Sequence, residues 1–82
     1  MIWIYALSSQ TRNYIYVGMT SNLERRIKEH NSGKERTIRA YRPFKLLYTE
    51  QCKDRILGRK REKYWKSGVG KEKLRQLRLK HN

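Results

Sequence analysis

The sequence predicts a small α/β domain: a three-stranded antiparallel sheet flanked by helices, in the order β-β-α-β-α-α, with residues 1–82 forming one unit. Three observations carry that expectation. Two short runs rich in β-branched and aromatic residues, Ile2 to Leu7 and Tyr14 to Met19, are separated by a polar stretch of hairpin length. A helix-start signal follows the second run directly. A third strand-like run opens after the single proline, Pro43, and gives way to two helical segments.

Ile2, Ile4 and Ala6 alternate with Trp3, Tyr5 and Leu7, so both faces are apolar, as a strand covered on both sides requires. Ser8 to Asn13 is the polar connection. In the second run Tyr14, Tyr16 and Gly18 share one face and Ile15, Val17 and Met19 the other. Antiparallel pairing of the two strands brings Tyr5 near Tyr16. Ser21 and Glu24 have the spacing of a capping box, which starts a helix at Asn22. At about 100° per residue, Leu23, Arg26, Ile27 and His30 fall within one arc, while Arg25, Lys28 and Glu29 point away. Asn31-Ser32-Gly33 is the stop signal.

Lys34 to Arg42 shows no regular period and is expected to be a loop. Its Lys34, Arg36, Arg39 and Arg42, interleaved with Tyr41, suit a nucleic-acid backbone and equally suit a solvated basic loop. Phe44 to Gln51 is the expected third strand, with Phe44, Leu46 and Tyr48 on one face. Asp54 caps a helix running through Lys66. Gly58 within it costs about 1 kcal/mol relative to alanine, and the expected return is open space above the Glu62 carboxylate one turn on. Ser67 to Gly70 breaks the helical run, and Lys71 to Lys80 resumes it, anchored by Leu74, Leu77 and Leu79.

Charge narrows the function. Lysine and arginine number 21 against 7 acidic residues, a formal net charge of +14. Such a field draws in polyanions, which makes nucleic acid the expected partner. A cationic membrane-surface peptide would need one long amphipathic helix with a clean apolar face, and this chain mixes strands with short helices. Cys52 is the only cysteine, which excludes an intrachain disulfide and a thiolate metal cluster and suits a reducing cytoplasm. The apolar start, Met1 to Leu7, lacks a basic leader and is too short to span a bilayer, so neither signal peptide nor membrane anchor is expected. A chain of this size buries only ~60% of its unfolded surface, and its core must be built efficiently.

Tyr16-Val17-Gly18 closes the second strand, Arg26 follows ten residues after Tyr16, and His30 lies one helical turn beyond Arg26. With Ile4-Tyr5 upstream, this pattern resembles the GIY-YIG nuclease family, in particular its small standalone members. The first half departs at one position, where Trp3 stands in place of the glycine of the family name. The resemblance also picks out Glu62, which follows a basic pair in Lys60-Arg61-Glu62-Lys63. On its own, Glu62 fits an ion pair with Lys66 or Arg59.

The resemblance implies the same fold and a metal-dependent DNA endonuclease acting in repair or recombination. It implies catalytic roles for Tyr5, Tyr16, Arg26, His30 and Glu62, with Gly18 as a structural element of the motif. Glu62 would hold one divalent ion, Mg2+ or Mn2+. That fits the acid inventory, because no two carboxylates stand at a spacing that marks a two-metal cluster. Arg26 would hold the scissile phosphate with its planar fork. Tyr16 would be the general base, with Tyr5 hydrogen-bonded nearby and His30 assisting; a phenol near pKa 10 needs a cationic site for that task. A lone domain without a recognition module points to selection by DNA shape or to none. The alternative is a non-catalytic nucleic-acid-binding domain that keeps the nuclease fold.

Overall fold

The computed structural model describes residues 1–81. Its elements are β1 (Ile2–Ser9), β2 (Ile15–Thr20), α1 (Leu23–Ser32), a 3-10 turn (Arg39–Tyr41), β3 (Phe44–Cys52), α2 (Arg55–Lys66) and α3 (Gly68–His81). The strands form one antiparallel sheet in the order β2-β1-β3. The first strand is therefore central, which is why both its faces are apolar.

The sheet has two cores. On one face Ile2, Ile4, Ala6, Ile15, Val17, Leu47 and Cys52 pack against Trp65 of α2 and Leu74 of α3. On the other, Tyr5, Leu7 and Phe44 pack with Ile38 of the basic loop, while Tyr14, Tyr16, Leu23, Ile27 and Tyr41 close around them. Alternation along β1 and β2 thus sends the tyrosines to the α1 side and the aliphatic residues to the α2–α3 side. No described helix is long and apolar enough to cross a membrane.

Five local expectations are corrected. The cap of α1 is Asn22, whose Oδ1 accepts from Arg25 N at 3.1 Å. Ser21 is displaced from that role because Thr20 Oγ1 already accepts from Asn22 N at 3.0 Å and sets the entry of the chain. Glu24 pairs with Lys28 at 3.4 Å and closes no capping box. In β3, Ala6 pairs with Tyr48 but Leu7 with Leu46, so Leu47 is the extra residue of a bulge. The bulge turns Leu47 inward, leaves Leu46 exposed and returns Tyr48 to the α2 side, opposite Phe44.

The break between the last two helices is the single residue Ser67, and α3 begins at Gly68. Ser67 Oγ accepts from Gly70 N at 3.3 Å and so caps the new helix. A methyl group at Gly70 would lie 2.3 Å from the Tyr64 carbonyl oxygen, so the missing side chain lets the two helices fold tightly onto each other. Leu74 is fully buried and Leu77 partly so, but Leu79 faces solvent and anchors nothing. Gly58 is likewise a packing residue: a Cβ there would stand 2.8 Å from Met19 Sδ and 2.9 Å from Ile2 Cγ2. The close approach is to the sheet, and it opens no space over Glu62.

Candidate active site

Register builds the site. Tyr5 on β1 lies opposite Gly18 on β2, and its ring reaches across that position toward α1. A Cβ on Gly18 would meet Tyr5 Oη at 2.5 Å, Tyr5 Cζ at 2.6 Å and Tyr16 Cε1 at 2.9 Å. The glycine is needed because an aromatic ring passes directly over its backbone.

Beyond Gly18, the Tyr5 hydroxyl meets His30 Nε2 at 2.8 Å, with both side chains fully shielded from solvent. Tyr16 completes the group, its ring centroid 4.6 Å from that of His30 and 6.1 Å from that of Tyr5. Phe44 closes the far side, 6.2 Å from His30 and edge-on. Helical phase delivers His30: it lies on the inward arc of α1, just before Gly33 ends the helix in a left-handed turn at φ 85°.

Burial sets the proton positions. It pushes the Tyr5 pKa up to about 12, although the nearby Arg26 guanidinium works the other way. It also drives the His30 pKa down, helped by the charge of Arg26. Tyr5 is therefore a phenol and His30 a neutral imidazole at neutral pH. With Arg26 supplying only donors, the Tyr5 O–H donates to Nε2. The second ring nitrogen, Nδ1, is buried with no hydrogen-bond partner among the described residues.

Arg26 stands at the rim, half-buried. Burial works against its charge, but Tyr5 and Glu29 outweigh that effect and raise its pKa above the ordinary value. Its Nη1 donates to Glu29 Oε1 at 2.8 Å, and its Nη2 lies 3.6 Å from Glu35 Oε1. Glu29 was expected to point outward. It turns instead toward Arg26, three residues back, because a long guanidinium side chain reaches around the helix to a carboxylate at that spacing. The pairing holds the Glu29 carboxyl below its usual pKa.

Glu62 lies on α2, the helix that covers the other face of the sheet. Its Oε2 faces Lys66 Nζ at 3.2 Å, the i,i+4 pair the residues alone suggest. No hydrogen bond or ion pair joins it to Tyr5, Tyr16, Arg26 or His30 among the described residues. The structure thus gathers four of the five residues into one cluster and leaves Glu62 on a separate helix.

The basic loop is more ordered than its sequence suggests. Ile38 is buried in the tyrosine-side core. Tyr41 stacks on Tyr14 with centroids 4.2 Å apart and carries Arg12 at 5.5 Å from its ring, so one of its faces is already taken. Ser9 Oγ donates to the Tyr41 carbonyl and accepts from Thr11 N and Arg12 N, pinning the loop to the hairpin. Lys34, Arg36, Arg39 and Arg42 remain exposed.

Two supporting devices escape a reading by residue type. Asn31 binds the Phe44 backbone twice, Nδ2 to its carbonyl at 3.2 Å and Oδ1 from its amide at 2.6 Å, which locks the end of α1 beside His30 onto β3. On the opposite face Glu50 accepts from Tyr48 Oη, Arg61 and Trp65 Nε1. Arg61 first, then these other donors, hold its pKa down at about 2. Only the asparagine's place one residue after the candidate histidine hints at its role.

Residues 1–75 match the model of the GIY-YIG catalytic domain. Among similar proteins, a UPF0213 protein of Desulfotalea psychrophila is 40% identical over 62 residues, which cover 73% of this chain and 56% of that relative. A UPF0213 protein of Clostridium perfringens is 35% identical over 78 residues, 94% of this chain and 83% of the relative. One of Bacillus licheniformis is 36% identical over 76 residues, 92% and 77%. No solved structure matches. The matched span takes in both tyrosine strands, α1 and α2, and the order of elements is that of the family: the chain belongs to the GIY-YIG catalytic domain family, a family of nucleases.

Proposed function

We propose that the chain is a cytoplasmic, metal-dependent endonuclease that hydrolyses phosphodiester bonds in DNA, selecting by shape or not at all, in DNA repair or recombination. The observation that carries this reading is the Tyr5–His30 hydrogen bond, buried beneath Tyr16 and Arg26. The pair carries a cost that a structural role alone does not explain, since it leaves His30 Nδ1 buried without a partner among the described residues.

The donor set suits a hydrated hard cation. Among the described residues no three His, Cys, Asp or Glu side chains stand close enough to hold one ion, so a site of three or four protein ligands does not fit. A magnesium-type ion keeps most of its waters and needs one or two carboxylates. Glu62 offers one. A bound divalent cation supplies positive charge at a phosphate oxygen and makes the water it holds more acidic.

In the reaction proposed, a water oxygen bonds to phosphorus as the ester bond to the leaving sugar oxygen breaks. Tyr16, acting as its phenolate, takes the water's proton, and the departing sugar oxygen takes a proton from solvent water. Arg26 donates to the phosphate oxygens, whose charge grows in the transition state. Tyr5 holds Tyr16 in place from behind, itself fixed by neutral His30.

A panel of labelled junctions, flaps, duplexes and single strands, incubated with Mg2+ or Mn2+ and again with chelator, tests this. Cleavage that needs the metal and is lost in Glu62→Ala and Arg26→Ala, while binding persists, supports the proposal; undiminished cleavage in both variants overturns it. A second reading, a non-catalytic nucleic-acid-binding domain, is favoured by one observation: Arg26 and Glu62 are each already paired within the chain. Salt-dependent binding with no cleavage of any substrate supports that reading.

A further inference from the structure

At the other end of β2 from Gly18, the β1–β2 connection meets α3 in two adjoining hollows. One, of about 200 Å³, is lined by Asn13, Tyr14, Ile15, Lys71 and Arg75. The other, of about 350 Å³, includes Arg12, Asn13 and Arg78. Asn13 belongs to both. No Asp or Glu side chain lines either one.

Two of the cations here are held by neutral groups. Lys71 Nζ donates to the carbonyl oxygen of Ile15, and Arg78 donates to Asn13 Oδ1. The carboxylate paired with Arg75, Glu72, is 4.0 Å away. Burial, and then the charges of Arg75 and Lys66, press the Lys71 pKa down. A group of four positive side chains short of close counter-charge is suited to an incoming anion.

Position says which anion. β2 is an edge strand, and the first hollow lies at its start, against Tyr14 and Ile15. Asn13 and Tyr16 are three residues apart, roughly 10 Å at about 3.3 Å each, so one bound duplex, which carries a charge on each strand about every 3.4 Å of its axis, can reach both. Tyr14, which lines the first hollow, stacks on Tyr41 of the basic loop. We propose that Arg12, Lys71, Arg75 and Arg78 form a second contact for a nucleic-acid backbone, gripping it to one side of the bond presented at Tyr16. This deepens the nuclease reading and rests on it.

The test uses the full chain and a fluorescein-labelled duplex in chelator, with anisotropy followed across a salt series. Arg75→Gln/Arg78→Gln is expected to weaken binding roughly tenfold and to flatten the slope of log K against log salt by about 2, close to 0.9 per phosphate contact. Lys45→Gln/Lys53→Gln, which removes two exposed cations on and just after β3, is expected to leave the slope unchanged. A slope in the α3 variant equal to wild type, or an equal loss in the β3 variant, overturns the proposal. A second measurement alters only the ligand. Uncharged methylphosphonates placed singly along one strand should weaken wild-type binding at a position to one side of the cleavage point, within a few nucleotides of it, and should have no effect there in the α3 variant; the same loss in both proteins overturns the track. Wild type that neither binds nor cuts nucleic acid ends the nuclease reading and the track together. Wild type that binds and cuts, with the α3 variant unchanged, ends the track alone.

Discussion

The Tyr5 phenol lies across Gly18, so close that a methyl group there would stand 2.5 Å from its oxygen. Gly18→Ala is therefore an overpacking change at the centre of the candidate site. It is expected to cost about 1–3 kcal/mol, a fall in Tm of roughly 4–8 °C per kcal/mol in a domain this small. Tyr5→Phe in the same chain should recover part of the loss and no more, because Tyr5 Cζ is also within 2.6 Å. Additive losses in a double-mutant cycle would show that the two residues do not touch.

Tyr5→Phe alone removes the partner of a buried ring nitrogen. His30 then has both nitrogens unsatisfied, at a cost of about 1–3 kcal/mol. Thermal unfolding checks the stability. Cleavage assays on the folded fraction should show a loss beyond the share that unfolds, since the ring against which Tyr16 is set loses the hydrogen bond that fixes it to His30.

Acid should destabilise the fold in two stages. An unfolded imidazole titrates near 6.5 and the buried one lower. Between those values the unfolded chain binds more protons, so the His30 contribution is complete above 6.5 and declines as the pH falls below it. Glu50 acts further down: its stabilisation is present above the ordinary carboxylate value of 4.5 and is lost as the pH approaches about 2. Thermal midpoints measured from pH 7.5 to 3 should fall in both intervals. His30→Gln should remove the upper stage, and Glu50→Gln the lower.

Arg26→Lys keeps the charge and removes the fork. The ion pairs to Glu29 and Glu35 are partly exposed, so stability should change by less than about 1 kcal/mol. Cleavage should fall by about 10²-fold. Equal rates for the two proteins would remove the guanidinium from the reaction.

Gly58→Leu is expected to unfold much of the protein. Alanine would gain about 1 kcal/mol in helix propensity, but any Cβ at this position meets Met19 and Ile2 below 3.0 Å, and leucine adds three further carbons. Circular dichroism should register the loss. Native stability in this variant would show that α2 has room to move away from the sheet.

Period and phase made much of this legible. Alternation sorted Tyr5 and Tyr16 to one face, the 100° step carried Arg26 and His30 to the same side, and Gly33 and Asp54 mark helix ends by local chemistry that no neighbour overrides. What stayed hidden depends on distance in space. The Leu47 bulge comes from how β3 meets β1. The Asn31 clamp and the Glu35 pair each need a partner from another segment. At Ser21 and Asn22, two adjacent residues are both good caps, and the choice fell to Thr20, which the pattern does not weigh.

The central place of β1 divides the site by durability. Its amides are paired on both sides, so exchange with solvent at Tyr5 should require the whole chain to open, whereas β2 is paired along one side only. The candidate base therefore sits on the strand whose amides are expected to exchange first, beside a tyrosine on the strand expected to exchange last.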